Sequence, residues 1–485
     1  MYPPRSAERV SADEPDFGRL RSAAADFCRL NGLPAVIERA LNELFLRQPE
    51  DVHGYLAENF LKLSAPPRIS RLRSREVFDA RGQLSIEAEL LCTVCNKEKT
   101  SVDQASESQE RADHVTTAAL WINGALSSLL TDLNPCDQSE TDQRLSRETE
   151  KPFRPAEPPK PVLRGSMAIG SVSLAVAKAG AHVQGLPLYR YVADLRNQKA
   201  PKQFHIPVPL VTLLSCGKTS PGKLCLLEEI ILVPRMGQKV KQTIRRTLEL
   251  QKEMMRIMNA STKAGATHTF VSASGAPAAS YDRPEQPLDL IAEACTNLGV
   301  ALGTDVYLAL NCAAQKLVNY SKGKYEVATG GLRSPDELVD FYHTLISKYP
   351  AVVALIDPFR KEDTEQWQKL SNVMGNSCSL LCDISHKLQP PHLPGVRGFI
   401  IKQVNETTVS DLIHITTEYQ GIYLGLQLVS LATAVGLGLQ YVKLGGLSGA
   451  ERMTKYNRLI SIEEELAQQG ILGRIFFLML LPVSF

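Results

Sequence analysis

Two lysines end apolar runs in the second half of the chain and mark where chemistry would be expected. Lys402 follows the run GFII, and Lys443 follows the run QYV just before a glycine-rich turn. A helical pattern comes after that turn, with Met453, Tyr456 and Leu466 on one face. In a parallel α/β barrel, the carboxyl end of each strand opens on the active site. The spacing therefore predicts that both lysines face a cavity, although a strand-end lysine can also be solvated or ion-paired.

The elements that must position these lysines recur along the second half of the chain. From Pro207 onward, short apolar runs alternate with amphipathic stretches, and most runs end in a polar residue or a glycine. Amphipathic stretches of this kind lie at 287–298, 335–347 and 364–373. Repeated strand–helix units favour a parallel β/α barrel with short antiparallel exceptions. The pattern therefore predicts an α/β protein whose functional residues lie at the ends of barrel strands.

Segments spread along the chain resemble the enolase family in sequence and in order. They are SREVFDARG at 74–82, GSMAIGSVSLAVA at 165–177, PVPLVTLL at 207–214, LIDPF at 355–359, IIKQVN at 400–405 and the closing stretch at 441–466. The resemblance covers residues 74–91 and 165–467. It implies an enolase-type β/α barrel with an N-terminal α+β capping domain and a helical hairpin before it. Within the family, the chain is most similar to a divergent vertebrate branch that is linked to sperm.

The expected domain order combines this resemblance with changes in composition. Residues 1–20 are polar and are expected to be disordered. The other segments are a helical hairpin at 21–66, a capping domain at 70–200 interrupted by a linker at 96–161, a barrel at 204–470, and an apolar tail at 471–485 beyond the resemblance. The barrel is expected to be shortened, because the family segment that supplies a phosphate-binding arginine has no counterpart between Gly421 and Gly436.

The resemblance implies a dehydration reaction and gives three residues a role in it. Enolases convert 2-phosphoglycerate to phosphoenolpyruvate in glycolysis, removing a proton next to a carboxylate and then expelling hydroxide. By position, Lys402 would be the proton acceptor, and Glu229 and Lys443 would bind the substrate. Enzymes of this superfamily combine a lysine or histidine base with Mg²⁺, which stabilises the ene-diolate intermediate. The family activity therefore requires a Mg²⁺ site as well as the lysine.

The three positions that hold Mg²⁺ in the family carry unsuitable residues in this chain. They are Asn311 before Cys-Ala-Ala, Ile356 before Asp-Pro-Phe, and Cys382 before Asp383. Mg²⁺ prefers oxygen ligands, usually carboxylates, and an amide, an alkyl chain and a thiol do not supply the needed negative charge. Asp357 and Asp383 lie one residue further along, and successive residues of a strand point to opposite faces. A bulge could turn one of them back but hardly both, so we expect Mg²⁺ binding to be weak or absent.

Two other parts of the family's site are missing. The acidic loop that provides a general-acid glutamate is here Val271–Gly275, which contains no carboxylate, and the arginine segment has no counterpart. Stabilisation of the developing anion is usually the largest contribution to catalysis of this kind. The losses therefore predict weak or absent enolase activity, and whether the chain is an enzyme stays open at this point.

The N-terminal segment supports a second class of function. Apolar residues recur at helical spacing from Val36 to Phe45 and again from Val52 to Phe60, on either side of the turn RQPEDVHG. This pattern resembles the dimerisation-docking hairpins of the regulatory-subunit and DPY-30 type. The resemblance implies a homodimer whose groove accepts an amphipathic anchoring helix, here from a flagellar or scaffold protein. The chain would then be a non-catalytic assembly protein; alternatively, the hairpin simply packs on the barrel.

Composition sets further limits on partners and location. The net charge is +2 with nearly balanced acids and bases, which gives no reason to expect nucleic acid as a partner. The start MYPPRSAERV lacks the apolar segment of a secretory signal, and the closing ILGRIFFLMLLPVSF is too short to span a bilayer. Ten scattered cysteines suit a reducing compartment. These features predict a cytoplasmic protein without a membrane partner, and the resemblance adds the sperm flagellum as its setting.

Overall fold

The fold is given by a computed structural model that describes most of the chain. The described residues are 17–79, 82–104, 112–150, 166–199, 201–217, 226–261, 270–328, 331–384, 392–402, 406–419, 423–427 and 430–473. The chain divides into two compact units, Met1–Pro66 with Val94–Lys97 and Pro67–Thr93 with Glu98–Phe485. Most of the segment predicted to be disordered, and most of the predicted apolar tail, lie outside the described residues.

The N-terminal unit contains three short helices. They are α1 Phe17–Leu30, α2 Leu33–Arg47 and α3 Val52–Lys62. Gly32 lies between α1 and α2 with a φ of +63°. Asp51 caps α3 by accepting a hydrogen bond of 2.8 Å from the N–H of Gly54. The sequence predicted only the second and third helices and predicted disorder through residue 20. Helix α1 was missed although its apolar residues also recur at helical spacing, because helices were assigned only from Val36 to Phe60.

The second unit begins with a small α+β region. Its sheet has the order β1-β2-β3, with β1 Arg68–Phe78, β2 Leu84–Val94 and β3 Lys97–Gln104. Five helices follow: α4 Ala112–Trp121, α5 Ser127–Leu130, α6 Gln138–Glu150, α7 Met167–Gln184 and α8 Leu188–Asn197. Alternate residues of β2, including Ile86, Ala88 and Leu90, are fully buried, as expected for a strand with one face on a core.

Strand β3 and helix α6 lie within the segment 96–161 that was predicted as a linker. Helix α6 is polar in sequence, yet Gln138, Thr141 and Asp142 on it are buried. The carboxylate of Asp142 accepts a hydrogen bond of 2.7 Å from Ser173 Oγ on α7 and another of 2.9 Å from the N–H of Ser410. Buried polar side chains that hold one another in this way look like a solvated linker when only composition is read.

A closed barrel forms the rest of this unit. A small separate sheet is formed by β9 Val318–Asn319, β10 Lys324–Ala328 and β11 Gly331–Arg333. The strands of the barrel sheet are β4 Val208–Ser215, β5 Glu229–Pro234, β6 Phe270–Val271, β7 Pro277–Ala278, β8 Val306–Asn311, β12 Val352–Ile356, β13 Ser379–Asp383, β14 Val396–Lys402, β15 Tyr423–Gln427 and β16 Tyr441–Gly445. Eight of them close a ring in the order β16-β15-β14-β13-β12-β8-β5-β4, with β16 paired to β4. Strand β5 runs antiparallel to both neighbours, and the other pairings of the ring are parallel. The predicted α/β barrel with an antiparallel exception is confirmed.

Helices cover the outside of the barrel. They are α9 Val240–Ser261, α10 Glu285–Asn297, α11 Pro335–Lys348, α12 Thr364–Met374, α13 Val409–Glu418, α14 Leu431–Gly436 and α15 Ala450–Gln468. Helix α14 is only six residues long and lies between β15 and β16, and the shortening expected in this part of the barrel stays a prediction. No described helix is both long and apolar enough to cross a membrane.

Two apolar layers lie on the two sides of the barrel strands. The inner layer is made by inward residues such as Ile231, Ala309, Ile356, Leu381 and Tyr441. A larger outer layer lies between the strands and the helices. Side chains alternate along a strand. The layer to which a residue belongs therefore tells whether its side chain points into the barrel or toward the helices.

Candidate active site at the barrel mouth

Strand direction explains why Glu229 reaches the same end of the barrel as Lys443. Glu229 is the first residue of β5, and this strand is antiparallel, so its beginning lies at the carboxyl ends of its neighbours. It stands opposite Asn311, the last residue of β8, and opposite Ser215, the last residue of β4. Lys443 lies near the end of β16, which pairs with β4. The structure therefore brings Glu229, Asn311 and Lys443 together.

Glu229 and Lys443 form a buried ion pair. The distance from Lys443 Nζ to Glu229 Oε2 is 2.6 Å, and the side chains are 7% and 10% exposed. Burial by itself would lower the pKa of Lys443, but the Glu229 carboxylate outweighs it and the pKa is raised. Burial by itself would raise the pKa of Glu229, but the Lys443 ammonium and the Asn311 amide outweigh it and the pKa is lowered. Both groups are therefore charged at neutral pH.

Asn311 supports the carboxylate in this pair. Its Nδ2 donates a hydrogen bond of 2.9 Å to Glu229 Oε2, and Thr212 Oγ1 donates to the other carboxylate oxygen at 3.5 Å. An ionised carboxylate only accepts hydrogen bonds, so the amide nitrogen, not the oxygen, must be the group that faces it. Asn311 therefore acts as a donor to Glu229 where the resemblance places a metal ligand.

The residues at the other two family ligand positions are also unsuited to binding a metal ion. Ile356 is fully buried in the inner apolar layer. Cys382 is fully buried in the outer layer, on the helix side of the strand, and burial raises the pKa of its thiol well above the usual range. An alkyl chain and a protonated, outward thiol do not bind Mg²⁺. Across the described parts of the chain, no three or more histidine, cysteine, aspartate or glutamate side chains are grouped to hold a metal ion.

Asp383 corrects one expectation from the sequence. We expected its carboxylate and that of Asp357 to point away from the mouth, yet Asp383 turns toward it, and the negative charges of both help to raise the pKa of Lys443. Since Leu381 is in the inner layer and Cys382 in the outer one, alternation turns Asp383 inward. Asp357 follows the end of β12 with a φ of +46°, a left-handed conformation that aspartate tolerates, and its Oδ1 accepts the N–H of Asp383 at 2.9 Å.

The carboxyl group of Asp357 is buried, and its pKa is raised. Burial raises the pKa of Asp357 to about 7, and the negative charge of Asp383 adds to the rise, although the Asp383 N–H opposes it. Near neutral pH this carboxyl is therefore shared between its protonated and ionised forms.

Lys402 is the predicted proton acceptor, and the structure places only its backbone. It ends β14, opposite Gln427 at the end of β15. Its side chain, like residues 403–405, lies outside what the structure describes. The position at a strand end agrees with the sequence pattern, and the role of Lys402 stays a prediction.

The loop Val271–Gly275 is built against the turn that follows β16. The N–H of Gly446 donates to Ser274 O at 2.7 Å, and the N–H of Ser448 donates to Gly275 O at 2.9 Å. Arg452 on α15 adds a hydrogen bond to Ala273 O. A Cβ at Gly446 would lie 2.2 Å from Gly275 O, so the close approach requires glycine there. Sequence reasoning missed this contact, since it joins two segments far apart in the chain.

Known proteins are similar to this chain over nearly its whole length. A family model described as the C-terminal TIM barrel domain of enolase matches residues 203–386. A protein named Enolase 4 from Danio rerio is 42% identical over 96% of this chain and 95% of its own. Proteins of the same name from Xenopus laevis and Homo sapiens are 41% and 37% identical, each over 94% of this chain and over 93% and 90% of their own lengths.

Proposed function

This chain belongs to the enolase family, and we propose that its barrel has lost most or all of the family's ability to dehydrate 2-phosphoglycerate. The observation that carries the proposal is the chemistry at the three family ligand positions. Asn311 donates a hydrogen bond, Ile356 is an alkyl chain in the core, and Cys382 faces the helices. These residues do not fit Mg²⁺, so no catalytic step is assigned to a metal here.

The size of the expected loss follows from the charge that the reaction develops. Loss of a single group that stabilises a developing anion costs about a hundred- to a thousandfold in rate. This chain lacks carboxylates at all three ligand positions and any carboxylate in the loop Val271–Gly275. Lys443, which the resemblance assigns to the substrate, is already paired with Glu229. Lys402 would remain as the base, but a base without anion stabilisation gives little turnover.

Turnover of 2-phosphoglycerate tests this proposal directly. The purified chain is mixed with 2-phosphoglycerate and Mg²⁺, and formation of phosphoenolpyruvate is followed by its absorbance. The Lys402→Ala variant, prepared in the same way, reports any enolase carried over from the expression host. We expect the two preparations to give the same rate. A rate for the unmodified chain of about 1 s⁻¹ or faster, abolished in Lys402→Ala, would contradict the proposal.

The N-terminal helices favour a second function, assembly with other proteins. Among the side chains described in α1, α2 and α3, only Ala40 is buried. Large apolar side chains are exposed instead, including Leu30 at 83%, Phe45 at 76% and Leu46 at 82%. Helices this short are marginal alone and gain stability by burying an apolar face. We infer that the helices pair with a second copy of the chain and offer a groove to an amphipathic anchoring helix.

The mass of the full chain in solution tests the first part of this inference. Sedimentation or light scattering should report a dimer, and a labelled amphipathic peptide should bind to the dimer. A monomeric chain that binds no such peptide would count against assembly through these helices. The cytoplasm of the sperm flagellum is the setting we propose from family resemblance, and immunolocalisation in sperm would test it.

A further inference from the structure

The barrel mouth contains a buried cation of its own, the ammonium group of Lys443. It lies 2.6 Å from Glu229 Oε2, and both side chains are at least nine-tenths buried. Asp383 and Asp357 are close enough to act electrostatically on the same ammonium group. A charge at this depth is tolerated only when it is paired and hydrogen-bonded. Lys443 is therefore built into the barrel mouth as a paired group.

Three side chains in the described part of the chain already hydrogen-bond to Glu229. Its Oε2 accepts hydrogen bonds from Lys443 and Asn311, and its Oε1 accepts one from Thr212. A divalent ion that approached Oε2 would have to displace the ammonium group or lie beside it. Two like charges at such a distance repel strongly in a buried site. Asn311 favours the same outcome, because an amide adds a hydrogen bond to Glu229 where a carboxylate would add another negative charge.

We propose that Lys443 is a resident cation of this barrel mouth and that its pairing with Glu229 makes the barrel stable without a divalent ion. The inference rests on the proposed function, in which the family's metal ligands are lost. It goes further by naming what balances the remaining negative charge. Its consequence is that removing the lysine should make the barrel sensitive to added divalent cations, a property that the unmodified chain should lack.

Thermal unfolding with and without divalent cations tests this inference. The full chain, Lys443→Met and the double variant Lys443→Met/Glu229→Gln are each unfolded in EDTA and in excess Mg²⁺. The control is Lys369→Met, which removes a half-exposed lysine that pairs with Asp336 and Glu365 on the surface. Surface pairs contribute little, so this variant should unfold near the unmodified chain in both solutions.

The expected results differ for each protein. The unmodified chain should unfold at the same temperature in both solutions. Lys443→Met should unfold roughly 4–6 °C lower in EDTA, because it leaves a carboxylate buried without its partner, and Mg²⁺ should restore part of the loss. The double variant should regain most of the stability in either solution. If Lys443→Met does not fold, the double variant provides the test. A double variant that folds and is insensitive to Mg²⁺ supports the proposal, and one that does not fold contradicts it.

Failure of this inference can be told apart from failure of the proposed function. Stabilisation of the unmodified chain by Mg²⁺, or a double variant as unstable as Lys443→Met, would overturn the role of Lys443 even if the chain turns over no 2-phosphoglycerate. Turnover by an unmodified chain whose unfolding ignores Mg²⁺ would overturn only the proposed loss of activity. Both measurements use the same protein preparations.

Discussion

The barrel and the N-terminal helices differ in how far their apolar side chains are buried. The barrel strands bury both faces, one in the inner layer and one beneath the helices. The helices α1, α2 and α3 leave most of their large apolar side chains at the surface, and Ala40 is the one buried side chain described there. The barrel therefore forms its own core, whereas the described helices leave an apolar surface open, which is the surface that the proposed pairing would cover.

The barrel mouth and the N-terminal helices also differ in the exposure of their ion pairs. In the barrel mouth, Glu229 and Lys443 balance each other inside the protein. In the N-terminal helices, the ion pair Glu58–Lys62 is solvent-exposed. The barrel mouth thus pairs these charges inside the protein, whereas the charges of this helical pair lie in solvent.

The largest expected effect is loss of a barrel core side chain. Trp367 on α12 is fully buried and packs edge-on against Phe359, with ring centroids 6.2 Å apart. Trp367→Ala should lower the free energy of unfolding by about 3–5 kcal/mol, because it leaves a large cavity. Val373→Ala on the same helix removes a half-exposed side chain and should change it by about 0.5 kcal/mol or less. Urea unfolding followed by fluorescence measures the free energy of unfolding of both variants. Equal losses would contradict the burial of Trp367 in the barrel core.

A smaller effect is expected from Asp357, and it depends on pH. Burial raises the pKa of Asp357 to about 7 in the folded chain, above its ordinary value near 3.8. The folded state thus holds the proton more tightly, and stability falls as pH rises from about 4 through about 7. Asp357→Asn should remove this fall and stabilise the chain by about 1–3 kcal/mol above pH 8. The measurement is the unfolding midpoint between pH 5 and pH 8, in steps of about one unit.

The exposed carboxylate Asp336 provides the control for that experiment. Its pKa is lowered by hydrogen bonds from Lys369 and Gln366, so Asp336→Asn should leave the change in stability between pH 5 and pH 8 as it is in the unmodified chain. An Asp357→Asn variant that keeps the same fall in stability across this range would show that another group titrates there.

The smallest effect on stability, and the largest on association, is expected in α2. Phe45→Glu places a charge on the exposed apolar surface of the helix, where Phe45 is 76% exposed in the single chain. The barrel should unfold as before, but the dimer should dissociate to monomers, because a charge is buried in the interface without a partner. Asn42→Glu adds the same charge at an exposed polar position of α2 and should leave the dimer intact. Sedimentation gives the mass of each variant. A Phe45→Glu variant that stays dimeric would show that the interface does not include this surface of α2.

The barrel and its strand-end residues could be predicted from the sequence, since a parallel strand shows as an apolar run and its end as the first polar residue. Lys443 was placed at the mouth in this way, whereas Glu229 was assigned there by family resemblance alone. That Lys443 would be paired with Glu229 was left open, because the partner lies more than two hundred residues away in the chain and reaches the mouth only through the reversed direction of β5. Spacing along a chain carries no information of that kind.

Polar segments were the main source of error. Helix α6 and strand β3 were predicted as linker, since their apolar content is low. Asp142 shows why this fails: its carboxylate is buried and bonded to Ser173 and Ser410, and these partners cannot be inferred from composition. Asp383 was expected to face away from the mouth, because strand alternation was counted from an assumed inward Cys382, whereas the thiol faces the outer layer.

The most direct test of the lost metal site is titration of Mg²⁺ into the unmodified chain by isothermal calorimetry, with and without 2-phosphoglycerate. If Lys443 is the resident cation and Asn311, Ile356 and Cys382 provide no ligands, the heats should match those of dilution in both titrations. A saturable isotherm with one Mg²⁺ bound per chain would contradict this, and it would return the barrel mouth to the metal-dependent chemistry of its family.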